Sequence, residues 1–176
     1  REIENQEHRY LNRSLWSNLQ SLKSTVSFMQ TGAHPDDEAS RLLAKLSLDY
    51  GYHVSYVNAV RGQGGQNSIG PERDDNLGAL RTFELLKAMS VLRADIGWLA
   101  ENRNSSIVDF GLSKSAEETF EFWGKVHTFQ RMVRLVRAYK PDIIIPTFLD
   151  INGQHGHHRA ITRATIEAYD NSDNSK

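Results

Sequence analysis

The chain has 176 residues, 21 basic against 22 acidic side chains for a net charge of -1, and no cysteine. That length is one domain's worth, residues 1–176, with room for a sizeable core. Balanced charge without long runs gives no reason to expect nucleic acid or a membrane surface as partner, and the missing cysteines exclude disulfides and thiolate metal sites. From the N-terminus, periodicity predicts a helix over 11–23, a strand over 26–30, a helix over 38–50 and a strand over 53–60. A glycine-rich loop over 61–73 follows, then a helix over 77–89, a strand over 96–99 and one long helix over 117–139. A strand over 142–147, a helix over 158–169 and a polar tail complete the chain. Alternating short β-branched runs with longer amphipathic ones is the pattern of a parallel α/β sheet. In the longest helix Phe120, Val126, Phe129, Met132, Val133, Val136 and Tyr139 form one apolar stripe read as core. No run of about 18 apolar residues codes a bilayer span. The polar start is no signal peptide, so the chain is expected to be soluble, either cytoplasmic or exported. A first residue other than Met is what a processed or excised piece shows.

Two clusters carry chemistry. His34-Pro35-Asp36-Asp37-Glu38 sets one imidazole and three carboxylates just past the first strand, and His155-Gly156-His157-His158 follows the last. A catalytic zinc needs three protein ligands and one open position. His34 and Asp37, three residues apart on a strand-to-helix turn, can converge on one ion. Asp36 between them stays free, as a general base beside an activated water must be. His158 is the natural third ligand, and His155 reaches the same cavity. Singly, each group has a plainer reading: His34 as a helix cap, the carboxylates as charges favoured at a helix N-terminus, the later histidines as a polar surface loop. The coincidence of the two clusters favours a site. His8, His53 and His127 have no such company and are read as structural or solvated.

The glycine run Gly62-Gln63-Gly64-Gly65 is read as a mobile rim, not a phosphate cradle. A dinucleotide fingerprint belongs directly after the first strand, where this chain has carboxylates that would repel pyrophosphate. Asp109-Phe110-Gly111 matches a kinase motif but stands without the others.

With these residues in view, the chain resembles the PIG-L superfamily of zinc-dependent N-acetylglucosaminyl deacetylases, also called LmbE-like proteins. The likeness rests on His34-Pro-Asp-Asp-Glu38 with His155-x-x-His158. It continues through Arg61–Glu72, Leu77-Gly-x-x-Arg81-x-x-Glu84-Leu85, Asp109–Lys114, Pro141–Ile145 and Gly153–Arg159, about residues 25 to 170 in all. The resemblance implies a Rossmann-like, mostly parallel sheet flanked by helices, with the metal at the C-terminal strand edge. It implies one zinc per chain, or another divalent ion, on His34, Asp37 and His158. Asp36 would be the general base, a protonated His155 would assist at the oxyanion or leaving amine, and Arg81 and Asp109 would hold the sugar. For Arg81 the plainer reading is a surface salt bridge, and for Asp109 a turn cap. The implied reaction removes the N-acetyl group from an N-acetylglucosamine-type amino sugar or its conjugate, a small-molecule substrate, and leaves homo-oligomerisation open. His157 stands where many relatives carry Asp. Family domains continue through further strands, which implies a substrate wall completed outside this chain or by another. Two other readings keep the metal motifs or the fold: a catalytically silent carbohydrate-binding or scaffold domain, and a metal-dependent phosphoesterase. The latter would need bridging carboxylates, for which Asp150 is the obvious spare.

Overall fold

Each apolar run becomes a strand: β1 (Ser27–Gly32), β2 (His53–Asn58), β3 (Asp95–Trp98) and β4 (Ile143–Pro146). They come from a computed structural model that describes residues 15, 16, 18–102 and 104–173. The helices are α1 (Ser40–Ala44), continued by a π-helical turn (Lys45–Asp49), α2 (Asp74–Leu92), α3 (Ala116–Trp123), α4 (Lys125–Tyr139) and α5 (Gly156–Asn171). Of the helix expected over 11–23, residues 15, 16 and 18–21 are helical; 11–14 and 17, like His8, lie outside the described residues.

The sheet order is β3-β2-β1-β4, and every pairing is parallel. Alternate residues of a strand point to opposite faces, and here both faces are covered, which is why the strands read as continuous apolar runs. Phe28, Val54 and Tyr56 face Leu43, Leu85, Met89 and Leu92 on one side. Met29 and Val57 face Trp123, Met132, Val136, Ile161 and Ala164 on the other. The ladder ends in register, Gly32 opposite Asn58 and Thr31 opposite Pro146. Pro146 has no N–H to give, and Thr147 donates to the Thr31 carbonyl at 2.8 Å instead.

The long helix expected over 117–139 is two helices. Gly124 takes φ +81 and ψ +106, and the chain turns there between α3 and α4. The break leaves few groups unpaired: Gly124 N–H donates to Phe120 O at 2.9 Å, and the Ser106 hydroxyl donates to Trp123 O at 2.7 Å. The change of phase explains why Val126 is 68% exposed although it belongs to the expected stripe, while Met132, Val133 and Val136 are buried. A Cβ at position 124 would touch only His127 Cβ at 3.6 Å, so substitution is opposed by backbone conformation and not by space. Gly124→Ala is expected to lower stability by at least about 1 kcal/mol. Urea unfolding of the two proteins measures this, and equal midpoints would contradict it.

Strand order runs outward from β1 in both directions, to β2 and β3 on one side and to β4 on the other. The crevice beyond the carboxyl ends of β1 and β4 is the switch point of the sheet, where α/β folds bind ligands. Both histidine clusters open into it.

Candidate metal centre

The turn after β1 is built by Asp37. Its Oδ2 accepts the backbone N–H groups of Ala33 and His34, each at 2.8 Å, which folds the carboxylate back over the end of the strand. Beneath it, the Tyr56 hydroxyl lies 3.3 Å from His34 O and 3.1 Å from Asn58 Oδ1. Gln30 ties the crevice floor together, donating to Thr147 Oγ1 at 3.0 Å and accepting the Ala39 N–H at 3.0 Å. On the opposite bank α5 begins at Gly156, two residues earlier than its sequence suggests, with His155 as its cap. His155 Nδ1 accepts the His157 N–H at 3.1 Å. The start of α5 packs hard on the preceding loop: Gly156 N–H donates to Ser113 O at 2.7 Å, and a Cβ there would fall 2.1 Å from Ser113 Oγ.

These two banks bring His34, Asp37 and His158 together. His34 Nδ1 lies 3.2 Å from His158 Nε2, His158 Nε2 lies 3.3 Å from Asp37 Oδ2, and Asp37 Oδ2 lies 3.5 Å from His34 Nδ1. A tetrahedral ion with bonds of about 2.1 Å needs its ligand atoms about 3.4 Å apart, so this triangle has the size of one tetrahedral face. The outer nitrogens are also committed: His158 Nδ1 lies 3.5 Å from Gln154 Oε1, and its ring stacks on Phe148 at 4.0 Å. Burial alone raises the Asp37 carboxyl, but hydrogen bonds from His158 and His34 reverse this and hold it well below the usual carboxylate range. The Asp37 carboxylate therefore stays ionised within the triangle.

A second grouping, His34 with His155 and His157, is also close enough to hold an ion. It suits one less well. It has no carboxylate, His155 Nδ1 is already an acceptor, and His157 is fully buried.

Asp36 stands apart from the triangle, 71% exposed, with Oδ1 in an ion pair with Arg81 Nη2 at 2.7 Å. Arg81 also donates to Gly62 O at 3.2 Å, pinning the glycine-rich loop to α2. A cavity of about 310 Å³ is lined by His34, Asp36, Gly64, Arg81, Asp109 and His155, and so gathers most of the predicted residues. Asp109 is only 7% exposed and its Oδ1 accepts the Gly111 N–H at 2.9 Å, the turn-capping contact. Glu38 is no part of the triangle; its Oε1 accepts the Ser40 hydroxyl at 3.1 Å. A larger groove of about 500 Å³ beside α2 contains none of the histidines, so chemistry and not volume marks the site. The loop over 61–73 forms the cavity rim. Its N–H groups at Gly65, Ile69 and Gly70 bond within the loop, and α2 opens only at Asp74. Sequence reasoning left His157 without a role, although its Nδ1 lies 3.1 Å from His34 Nε2.

The fold and site define a parallel α/β domain with a cluster of two histidines and one carboxylate at its switch point that could hold a metal ion. The family model described as GlcNAc-PI de-N-acetylase, PIG-L, matches residues 29–169, and the chain belongs to that family. It is 30% identical over 159 residues to a 1D-myo-inositol 2-acetamido-2-deoxy-alpha-D-glucopyranoside deacetylase of Streptomyces scabiei, covering 78% of this chain and 47% of that protein. A protein of the same description from Catenulispora acidiphila is 28% identical over 158 residues, with the same coverage. The chain thus spans about half the length of the curated relatives it matches. The N,N'-diacetylchitobiose deacetylase of Pyrococcus horikoshii superposes with a TM-score of 0.60 at 20% identity, covering 93% of this chain and 58% of that one. The 4-carboxy-2-hydroxymuconate hydratase GalB of Pseudomonas putida superposes at 0.61 and 17% identity, covering 82% and 55%. A deacetylase and a hydratase share the fold, so the fold does not select the reaction.

Proposed function

We propose that the chain is a zinc-dependent hydrolase that removes the N-acetyl group from an N-acetylglucosamine-type amino sugar or its conjugate. The observation that carries this reading is the near-equilateral triangle of two imidazole nitrogens and a carboxylate oxygen, beside a carboxylate, Asp36, outside it. The names of the two curated relatives, both acting on an acetamido-glucopyranoside of inositol, support the substrate class.

His34, Asp37 and His158 would hold the zinc, which would supply a Lewis acid for an amide carbonyl and for water. Asp36 has Oδ1 fixed by Arg81 and no partner for Oδ2 among the described residues, so Oδ2 takes the proton of the attacking water. His155 enters as the neutral ring and not as the protonated one that the resemblance implies. With Nδ1 accepting the His157 N–H, an imidazolium would set two hydrogens against each other, and burial also lowers the pKa of this ring. Its hydrogen is on Nε2, where it is donated in a hydrogen bond to the developing oxyanion and stays on the ring. As the C–N bond breaks, the proton held by Asp36 leaves with the amine, so the products are acetate and a primary amine. Arg81, on the cavity wall, has donors beyond its bonds to Asp36 and Gly62 and is assigned to a sugar hydroxyl. Asp109 shares the wall and is assigned the same task.

Asp150, the spare carboxylate a two-metal phosphoesterase would draw on, accepts from Arg159 Nε at 2.6 Å and from Arg163 Nε. That engagement supports a single ion. No helix among the described residues is long and apolar enough to cross a membrane. The test is to load the protein with zinc, count bound metal, and assay a panel of N-acetylglucosamine conjugates for free acetate and amine. One ion per chain with equimolar acetate and amine is expected. Two ions with phosphoester cleavage would favour the phosphoesterase, and no ion with no product would favour a silent module.

A further inference from the structure

We propose that His157 is a positioning residue that fixes which nitrogen of His34 faces the metal, by accepting a hydrogen bond from the other. The inference rests on the reading of His34, Asp37 and His158 as the cation cradle.

The geometry gives the proton positions in three steps. In the cradle His34 presents Nδ1, 3.2 Å from His158 Nε2 and 3.5 Å from Asp37 Oδ2. A nitrogen that coordinates a cation needs its lone pair, so a neutral His34 carries its hydrogen on Nε2. His34 Nε2 lies 3.1 Å from His157 Nδ1, within donor-acceptor distance, so Nδ1 of His157 has to be the lone-pair side. The hydrogen of His157 is then on Nε2.

That last position is the revealing one. His157 Nε2 is fully buried and has no hydrogen-bond partner, one of few such side-chain atoms among the described residues. The ring is enclosed by Phe110, edge-on at 4.5 Å, and Trp123 at 5.0 Å, neither of which offers an acceptor in the ring plane. Asp109 Oδ1 is 3.9 Å from the Nδ1 side, too far for a hydrogen bond, and already accepts from Gly111. A buried orphan donor persists where something holds the group in place for another purpose. Here the purpose is the acceptor at Nδ1. Packing against Trp123 and Phe110 locks the ring so that this acceptor meets His34. Gln154 stands in the equivalent relation to His158, on whose Nδ1 it lies at 3.5 Å.

His157→Leu keeps apolar volume in the pocket and removes the acceptor, whereas His157→Asn sets an amide oxygen near the place of Nδ1 and keeps one. The expected result, by zinc titration against a competing chelator, is about 10- to 100-fold weaker binding in His157→Leu and near wild-type binding in His157→Asn. Circular dichroism melts establish that both variants are folded. Equal weakening in both folded variants, or none in His157→Leu, would show that the ring only fills space and would overturn the role. Independently of any variant, nitrogen NMR of zinc-loaded wild type should show His157 with a bare Nδ1 and a protonated Nε2; the opposite tautomer overturns the proposal even if His157→Leu does not fold. Failure of the wild type to bind zinc would remove the cradle itself, an outcome distinct from wild-type binding that His157→Leu leaves untouched.

Discussion

Asp37→Asn is expected to bind zinc at least about 100-fold more weakly than wild type, more than second-layer changes bring about. Asp37 contributes the only negative charge in the triangle, and an amide oxygen is a poor donor to zinc. The substitution spares the local turn, because an amide oxygen can still accept the Ala33 and His34 N–H groups that Asp37 Oδ2 accepts at 2.8 Å. The loss should therefore appear in metal content before it appears in folding, and acetate release should partly return at high zinc. Metal analysis after dialysis, together with rates across a zinc series, makes the measurement. Full zinc content in Asp37→Asn would show that the carboxylate is not a ligand.

Asp36→Asn should do the reverse. It keeps zinc and loses turnover by about 100-fold or more, the scale of losing a general base, and no zinc concentration restores the rate. The variant also frees Arg81 from its 2.7 Å ion pair, so a change in KM beside the change in kcat would report how far Arg81 holds sugar. An Asp36→Asn protein of wild-type activity, or one that sheds its metal, would reverse the roles assigned to the two neighbouring aspartates.

Sequence and structure agree where local chemistry decides. A strand between two covered layers must be apolar on both sides, so runs such as Val54–Val57 announce themselves, and the His-x-x-Asp spacing needs only a turn to converge. Agreement fails where distant segments decide. Gly124 is a visible punctuation mark, but the apolar stripe runs through it, and the Ser106 hydroxyl that donates to Trp123 O at the break comes from a distant segment. The start of α5 is hidden for a similar reason: a histidine cap is an uncommon signal, whereas Ser115 capping α3 through the Glu118 N–H at 3.1 Å is the ordinary kind. The ion pair of Asp36 with Arg81 joins a turn to a helix far along the chain, and no spacing rule contains it. His157 was illegible because it is the sequence neighbour of His158 on a different side of the helix, and its packing against Trp123 and Phe110 shows that this side faces inward.

The cradle also matters to the molecule as an object that must stay closed. His34 and His158 are 124 positions apart, and they sit on the two banks of a crevice whose strands, β1 and β4, share only four paired positions. An ion bound there would work as a clasp, tying an early segment of the chain to a late one across that seam. At a free zinc concentration 100 times its dissociation constant, such a clasp adds about 2.7 kcal/mol to the folded state. Metal supply and mechanical integrity would then rise and fall together, and withdrawing the metal would loosen the seam between β1 and β4.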